Sequence, residues 1–303
     1  MSAASRLPDT IGVGPPRTAT TWLDVVLRGR VGLPSGIKET DFFSFNYDLG
    51  IEWYRSHFRD CDPGLPVVEF SPVYFEWPEV PERIATHIPR CQILVTLRDP
   101  VDRIYSHYQL LRREGWVGAI SFEQALANHE RWADRAGNLL SNSRYAQHLG
   151  RWLKVFGQQR TLVMIHDDLE ARPQDYLDRV CAFIGIPSID LARSRYANER
   201  VNRMTRAPRS PRLAKSARQL RAALERRRMP AVRTMLKPLF DYCAGGGEPF
   251  APMLPATEVA LRERLRPEIE ALEELIERDL SAWKTVRTQR VSGGVQSPGN
   301  ATD

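Results

Sequence analysis

Cysteine is scarce in this chain. Cys61, Cys91, Cys181 and Cys243 are its only four, and no two stand in a Cys-x-x-Cys pair. That spacing excludes a disulfide scaffold and a thiolate metal site, and reads as reduced thiols in or near a core. Long apolar runs are also missing. No stretch approaches the roughly 20 residues that a membrane-spanning helix needs. The first ten residues, MSAASRLPDT, lack the basic-then-apolar pattern of a secretion leader, so a cytoplasmic protein is expected. No lysine occurs before Lys38, which excludes the Gly-Lys-Ser/Thr ending of an ATPase phosphate loop near the N-terminus. No cluster of His, Cys and carboxylates shows metal-ligand spacing, so no metal is expected.

What is present is ordinary in amount and uneven in placement. The chain has 303 residues, 42% hydrophobic and 26% charged, enough for one large α/β domain with a buried core. The net charge is +6, yet Arg200–Lys237 alone carries thirteen Lys or Arg against the single acid Glu225. The rest of the chain is therefore net acidic. A local basic field of this kind suits an anionic partner.

Short apolar runs alternate with helical stripes. Thr10–Val13, Pro66–Phe70, Ile93–Leu97 and Thr161–Ile165 read as strands, the last two as strands buried on both faces. Helices are predicted over 20–30, 80–87, from Pro100 through the Ile104/Tyr108/Leu111 stripe, over 174–184, and over 257–284. This alternation predicts a three-layer α/β sandwich with a central parallel sheet and a P-loop-like anion loop. One domain is expected over 1–285. Residues 200–245 read as a basic cap or lid, helical in short pieces, and 286–303 as a disordered tail.

In such sheets ligands bind beyond the carboxyl ends of the strands. Two strand-to-helix junctions there carry anion chemistry. The first, Gly12-Val13-Gly14-Pro15-Pro16-Arg17-Thr18-Ala19-Thr20-Thr21-Trp22, offers free backbone N–H groups, hydroxyls and the Arg17 charge at a helix N-terminus. The second, Leu97-Arg98-Asp99-Pro100 through Tyr108, places Arg98 at the strand end and Ser106 off the core stripe. Two anion sites on one sheet fit a nucleotide with phosphates at both 5′ and 3′ positions. 3′-Phosphoadenosine-5′-phosphosulfate (PAPS) is such a molecule.

The first junction resembles the 5′-phosphosulfate loop of the sulfotransferases, and Leu97–Tyr108 resembles that family's 3′-phosphate motif. The resemblance implies that Arg17, Thr18, Ala19, Thr20, Thr21 and Trp22 hold the 5′ end of PAPS, and that Arg98 and Ser106 hold the 3′-phosphate. The Cys-bracketed cofactor loop of the heparan-type enzymes is missing, and Asn202, Arg203 and Arg206 of the basic segment are the residues that could serve the 3′-phosphate in its place, a solvated basic helix face being the alternative. Lys38-Glu39-Thr40-Asp41-Phe42-Phe43 and Glu69–Phe75 are similar to segments of the heparan-sulfate-type enzymes, as are His166-Asp167-Asp168-Leu169 and Asp279-Leu280…Trp283. This implies Glu39 as general base, with Lys38 and Arg17 completing the catalytic set and Asp41 or His107 in reserve. Ala19 stands where the family usually has glycine, so the loop is expected to close without a positive φ there. Phe70 replaces a lysine of the heparan enzymes and Asp41 a frequent histidine, both expected to touch the acceptor side. The acceptor, a hydroxyl or amine of a small molecule or glycan, is not named by the sequence. The rival readings are a P-loop kinase or NTPase, and a nucleic-acid or other anion binder acting through residues 200–237.

Overall fold

Four parallel strands form the centre of the molecule in the order β2-β1-β3-β4. They are β1 (Thr10–Val13), β2 (Val68–Phe70), β3 (Gln92–Leu97) and β4 (Thr161–Ile165). The computed structural model describes residues 6–132, 139–193, 206–226 and 229–286. The helices are α1 (Thr20–Leu27), α2 (Ile51–Ser56), α3 (Val80–His87), α4 (Pro100–Arg113), α5 (Phe122–Ala127), α6 (Tyr145–Phe156), α7 (His166–Ala171), α8 (Pro173–Ile184), α9 (Pro211–Arg226), α10 (Pro230–Met235), α11 (Lys237–Ala244) and α12 (Pro255–Ile276).

The sheet is buried on both faces, which is why its strands read as nearly unbroken apolar runs. Ile93, Val95 and Leu97 of β3 join one core with Ile84 of α3, Trp152 of α6 and Leu265 of α12. Leu94, pointing the other way, joins a second core with Leu23 of α1 and Val180 of α8. Three layers result, as the alternation predicted. Cys91 and Cys181 lie in these two cores, Cys243 is buried on α11, Cys61 is half-buried, and all four are free thiols.

Two elements depart from expectation. The last helix stops at Ile276 rather than near residue 284. Glu277 turns the chain with φ 51°, and a 3₁₀ turn over Ser281–Trp283 follows. Tertiary contacts pull the chain off the helix axis. Arg278 grips both oxygens of Asp168 at 2.6 and 2.7 Å, and Trp283 is buried with its Nε1 donating to Asp167 Oδ2 at 2.8 Å. Within the basic segment, α9 is one helix of 16 residues instead of short pieces. It is held to the end of α4, where Arg218 stacks over Trp116 at 3.5 Å and Arg221 pairs with Glu114 at 2.8 Å. A two-stranded antiparallel ribbon, β5 (Arg206–Pro208) and β6 (Gly246–Pro249), closes this segment and was not predicted.

Candidate active site

After β1 the chain turns back over the end of β3. Gly14 permits this, because its φ is 137° and a Cβ there would lie 2.4 Å from the Thr96 carbonyl oxygen. Thr18 is fully buried beneath the turn. Its hydroxyl donates to Pro15 O at 2.9 Å and lies 2.8 Å from Thr96 Oγ1. That hydroxyl stabilises the loop and does not face a ligand, which corrects its expected role; only its backbone N–H remains for anion binding. Thr20 is buried at the start of α1. Ala19 has φ 75° and Arg17 φ 83°, so the loop does use left-handed backbone without glycine, against expectation. Such residues cost roughly 1–3 kcal/mol each and persist where the surrounding fold imposes them, commonly at ligand clamps. The N-terminus of α1 has no side-chain cap. Trp22 packs edge-on against Tyr176 of α8, with ring centroids 6.1 Å apart, behind the loop.

The second junction folds onto the first. Asp99 caps α4 through Oδ1, which accepts from Val101 N at 2.9 Å, while Oδ2 pairs with the buried Arg262 of α12 at 3.2 Å. This carboxylate is a structural hub. Arg103 is itself buried and donates to Ser143 Oγ and Leu139 O. Ser106, one turn on, receives a hydrogen bond from Arg17 Nε at 2.9 Å. The two anion loops are therefore in contact. Arg98 and Arg113 lie close enough to Arg17 that, after burial as the main cause, their positive charge helps pull its pKa down to about 10. It remains charged at neutral pH. At the end of β4, burial and then the charge of Arg98 lower His166 to about 4, so its imidazole is neutral. Cationic side chains and a strand-end histidine thus gather at the carboxyl ends of β1, β3 and β4. Asn202 and Arg203 lie outside the described residues.

A third segment brings a carboxylate to this place. Lys38 Nζ donates to Thr21 Oγ1 of the first loop at 3.1 Å and to Glu39 Oε1 at 2.5 Å. Glu39 is partly exposed. Its neighbours are fixed from below by Glu69, a fully buried carboxylate in β2. Glu69 accepts hydrogen bonds from Thr40, from Tyr54 OH at 2.5 Å, from Ser71 Oγ at 2.7 Å and from Tyr74 OH at 3.1 Å. Burial raises its pKa, and these four donors oppose the rise. His107 is on the core side, 1% exposed, with Nδ1 3.3 Å from the Arg103 guanidinium. Its burial sets it apart from the partly exposed Glu39.

Asp41 behaves differently. Its φ is 48°, its Oδ1 is buried without a hydrogen-bond partner, and burial followed by the charges of Glu39 and Glu69 pushes its pKa up to about 8. The folded protein therefore holds a proton on Asp41 that the unfolded chain releases near the ordinary value of 3.8. Stability should fall as pH rises from about 4 to about 8, and Glu69 adds a slope of the same sign. Asp41→Asn is expected to flatten this decline and to raise the urea midpoint at pH 8, by about 1–3 kcal/mol of stability. An unchanged slope, or a variant weaker than the parent at pH 8, would refute the buried neutral carboxyl.

With this geometry in view, similarity to known proteins decides the family. The sulfotransferase domain family matches residues 7–225. The chain belongs to the sulfotransferase family. Among curated relatives, the bifunctional heparan sulfate N-deacetylase/N-sulfotransferase 1 of Caenorhabditis elegans is 30% identical over 194 residues, covering 60% of this chain and 22% of that protein. Enzyme 4 of the same name in Mus musculus is 32% identical over 199 residues, covering 59% and 22%. The chain thus spans about a fifth of the length of these relatives. A sulfotransferase from Alicyclobacillus acidocaldarius superimposes with a TM-score of 0.68 at 22% identity, over 92% of this chain and 100% of that one, a likeness of fold.

In this family member Phe70 lies in the core shared with Leu23 of α1 and Val180 of α8. Its ring is buried over Gly12, where any Cβ would lie 2.2 Å from it. Three residues of the site escaped sequence reasoning. Arg113 lies seven residues beyond Ser106 on α4, two turns along the same helix face, and that spacing was a usable signal. Glu69 is a lone acid inside the apolar run Val67-Val68-Glu69-Phe70, an equally legible mark of a functional or networked group. His166 shows in the sequence only as part of the family-like stretch His166–Leu169; its place beside Arg98 rests on the fold, which carries β4 beside β3.

Proposed function

We propose that this sulfotransferase moves a sulfuryl group from PAPS to a hydroxyl or amine of an acceptor, releasing adenosine 3′,5′-bisphosphate. The observation that carries the reading is the 2.9 Å hydrogen bond from Arg17 to Ser106, which joins two strand-end anion loops into one cationic cradle with Arg98 and Arg113 beside it. The backbone N–H groups at the start of α1 and Arg17 bind the 5′-phosphosulfate and stabilise the negative charge that grows on the departing phosphate. Arg98 and Ser106 hold the 3′-phosphate. Lys38 spans the first loop and Glu39, so it orients the carboxylate toward the sulfuryl group. Glu39 takes the acceptor proton as the new bond to sulfur forms and the bond from sulfur to the phosphate oxygen breaks. No metal enters this sequence of steps.

The kinase reading lacks the loop lysine that would reach a nucleotide's terminal phosphates. The two readings separate in a thermal-melt comparison. Adenosine 3′,5′-bisphosphate at a hundred times its Kd should add about 2.7 kcal/mol of stability, with ATP and oligonucleotide giving much less. Equal or larger stabilisation by ATP would overturn the proposal.

A further inference from the structure

The basic segment contains a feature that the sulfuryl-transfer site does not use. Leu213, Leu220, Met229, Met235, Leu239 and Tyr242 are all exposed, and they account for most of the large apolar side chains exposed among the described residues. Met235 is the extreme, at 72%. Monomeric surfaces scatter such residues singly; a local concentration marks a contact site.

The concentration is not a by-product of packing. The inward faces of these helices are already filled: Ala214 and Leu224 of α9 and Phe240 and Cys243 of α11 are buried, and α9 and α11 lie against one another. Leu213 and Leu220 are seven apart on α9 and share its outward stripe, about 10 Å from end to end. Leu239 and Tyr242 are three apart on α11, and Met235 closes the turn before it. Basic side chains run between them. Arg206, Arg209, Arg212 and Lys215 are exposed, and the Arg209 guanidinium lies 4.1 Å over the Tyr242 ring. Over Arg200–Lys237 the sequence has thirteen cations and one acid.

We infer that α9, α10 and α11 form a docking surface for an anionic lipid membrane. Aliphatic side chains set among Arg and Lys on helices lying flat are the chemistry of interfacial binding: the apolar groups enter the boundary between headgroups and acyl chains, and the cations meet the lipid phosphates. A nucleic acid would use the cations but leave Leu213, Leu220, Met235 and Leu239 in water, since phosphate and base contacts call for donors and stacking rings. A second copy of this chain would have to bring the same cations face to face. The charge and the aliphatic groups are satisfied together only by a surface that is both anionic and apolar.

The test is flotation of the full chain with vesicles of phosphatidylcholine alone and with vesicles containing about 30 mol% phosphatidylglycerol. The anionic vesicles should carry at least about tenfold more protein, and raising the salt to about 0.5 M should release most of it. The double variants Leu213→Ser/Leu220→Ser and Met235→Ser/Leu239→Ser should each lower that partition by about tenfold or more, with melting temperature and affinity for adenosine 3′,5′-bisphosphate unchanged. The inference fails if both vesicle types are bound equally or not at all. It fails if the variants float like the parent. It also fails if they lose bisphosphate affinity, which would make the segment part of the nucleotide site, or if they turn a dimer into a monomer on gel filtration, which would make it a contact between copies.

Discussion

Glu39→Gln is expected to lower kcat by at least about a hundredfold while leaving the affinity for adenosine 3′,5′-bisphosphate within a few-fold. A general base contributes about 10²–10⁴-fold, and glutamine keeps the size and the acceptor oxygen but takes no proton. The geometry makes the substitution clean. Lys38 Nζ holds both Thr21 Oγ1 and Glu39 Oε1, and the carbonyl oxygen of the substituted amide can still accept that bond. The loop behind it is set by Glu69 and its four hydroxyl donors, which the substitution does not touch. Single-turnover rates and bisphosphate titration would check both halves. An active Glu39→Gln beside a dead Asp41→Asn would move the base to Asp41. Loss of nucleotide affinity along with kcat would show that the Lys38–Glu39 pair shapes the anion loop instead of taking the proton.

Arg98→Ala should weaken adenosine 3′,5′-bisphosphate about ten- to a hundredfold and adenosine 5′-phosphate little. A hydrogen bond to a charged group is worth about 1.5–3 kcal/mol, and the assignment gives Arg98 to the 3′-phosphate alone. Isothermal titration with the two ligands reads the difference directly; equal losses would place Arg98 at the 5′ end or in a general cationic background. A second readout separates these from a folding defect. The positive charge of Arg98 is the second cause, after burial, of the low pKa of His166. In the variant the imidazole titration should move upward from about 4 but stay below its ordinary value, because burial is unchanged. A His166 titration that does not move would mean that Arg98 does not face it in solution.

Much of this site is legible residue by residue. The strands β1, β3 and β4 show as short β-branched and aliphatic runs, because burial on both faces leaves no room for polar alternation. The two anion loops follow them directly, and Arg17, Arg98, Ser106 and Glu39 can each be named from local chemistry or from the family likeness. The backbone of the first loop is not legible in the same way. Alanine and arginine at positive φ run against their own preference, and tertiary contacts surround them there: the packing of Gly14 and Thr18 on Thr96 and the hydrogen bond from Arg17 to Ser106. Thr18 shows the same limit from the other side. A hydroxyl in an anion loop looks like a ligand contact, yet here it is spent internally.

The sequence by itself determined the class of fold, the two candidate anion loops and the family, because each depends on residues a few positions apart: a period, a strand-end arginine, a helix-opening loop. Only the tertiary structure decided which of those residues act together. Arg17 meets Ser106 across 89 positions, and Arg262 reaches Asp99 across 163. Glu69 rises from β2 to fix a loop that begins at Thr40. These contacts follow from parallel strands whose carboxyl ends lie side by side although long helical crossovers separate them in the chain. No local pattern encodes that adjacency, so the partners of a buried charge become visible only once the sheet is assembled.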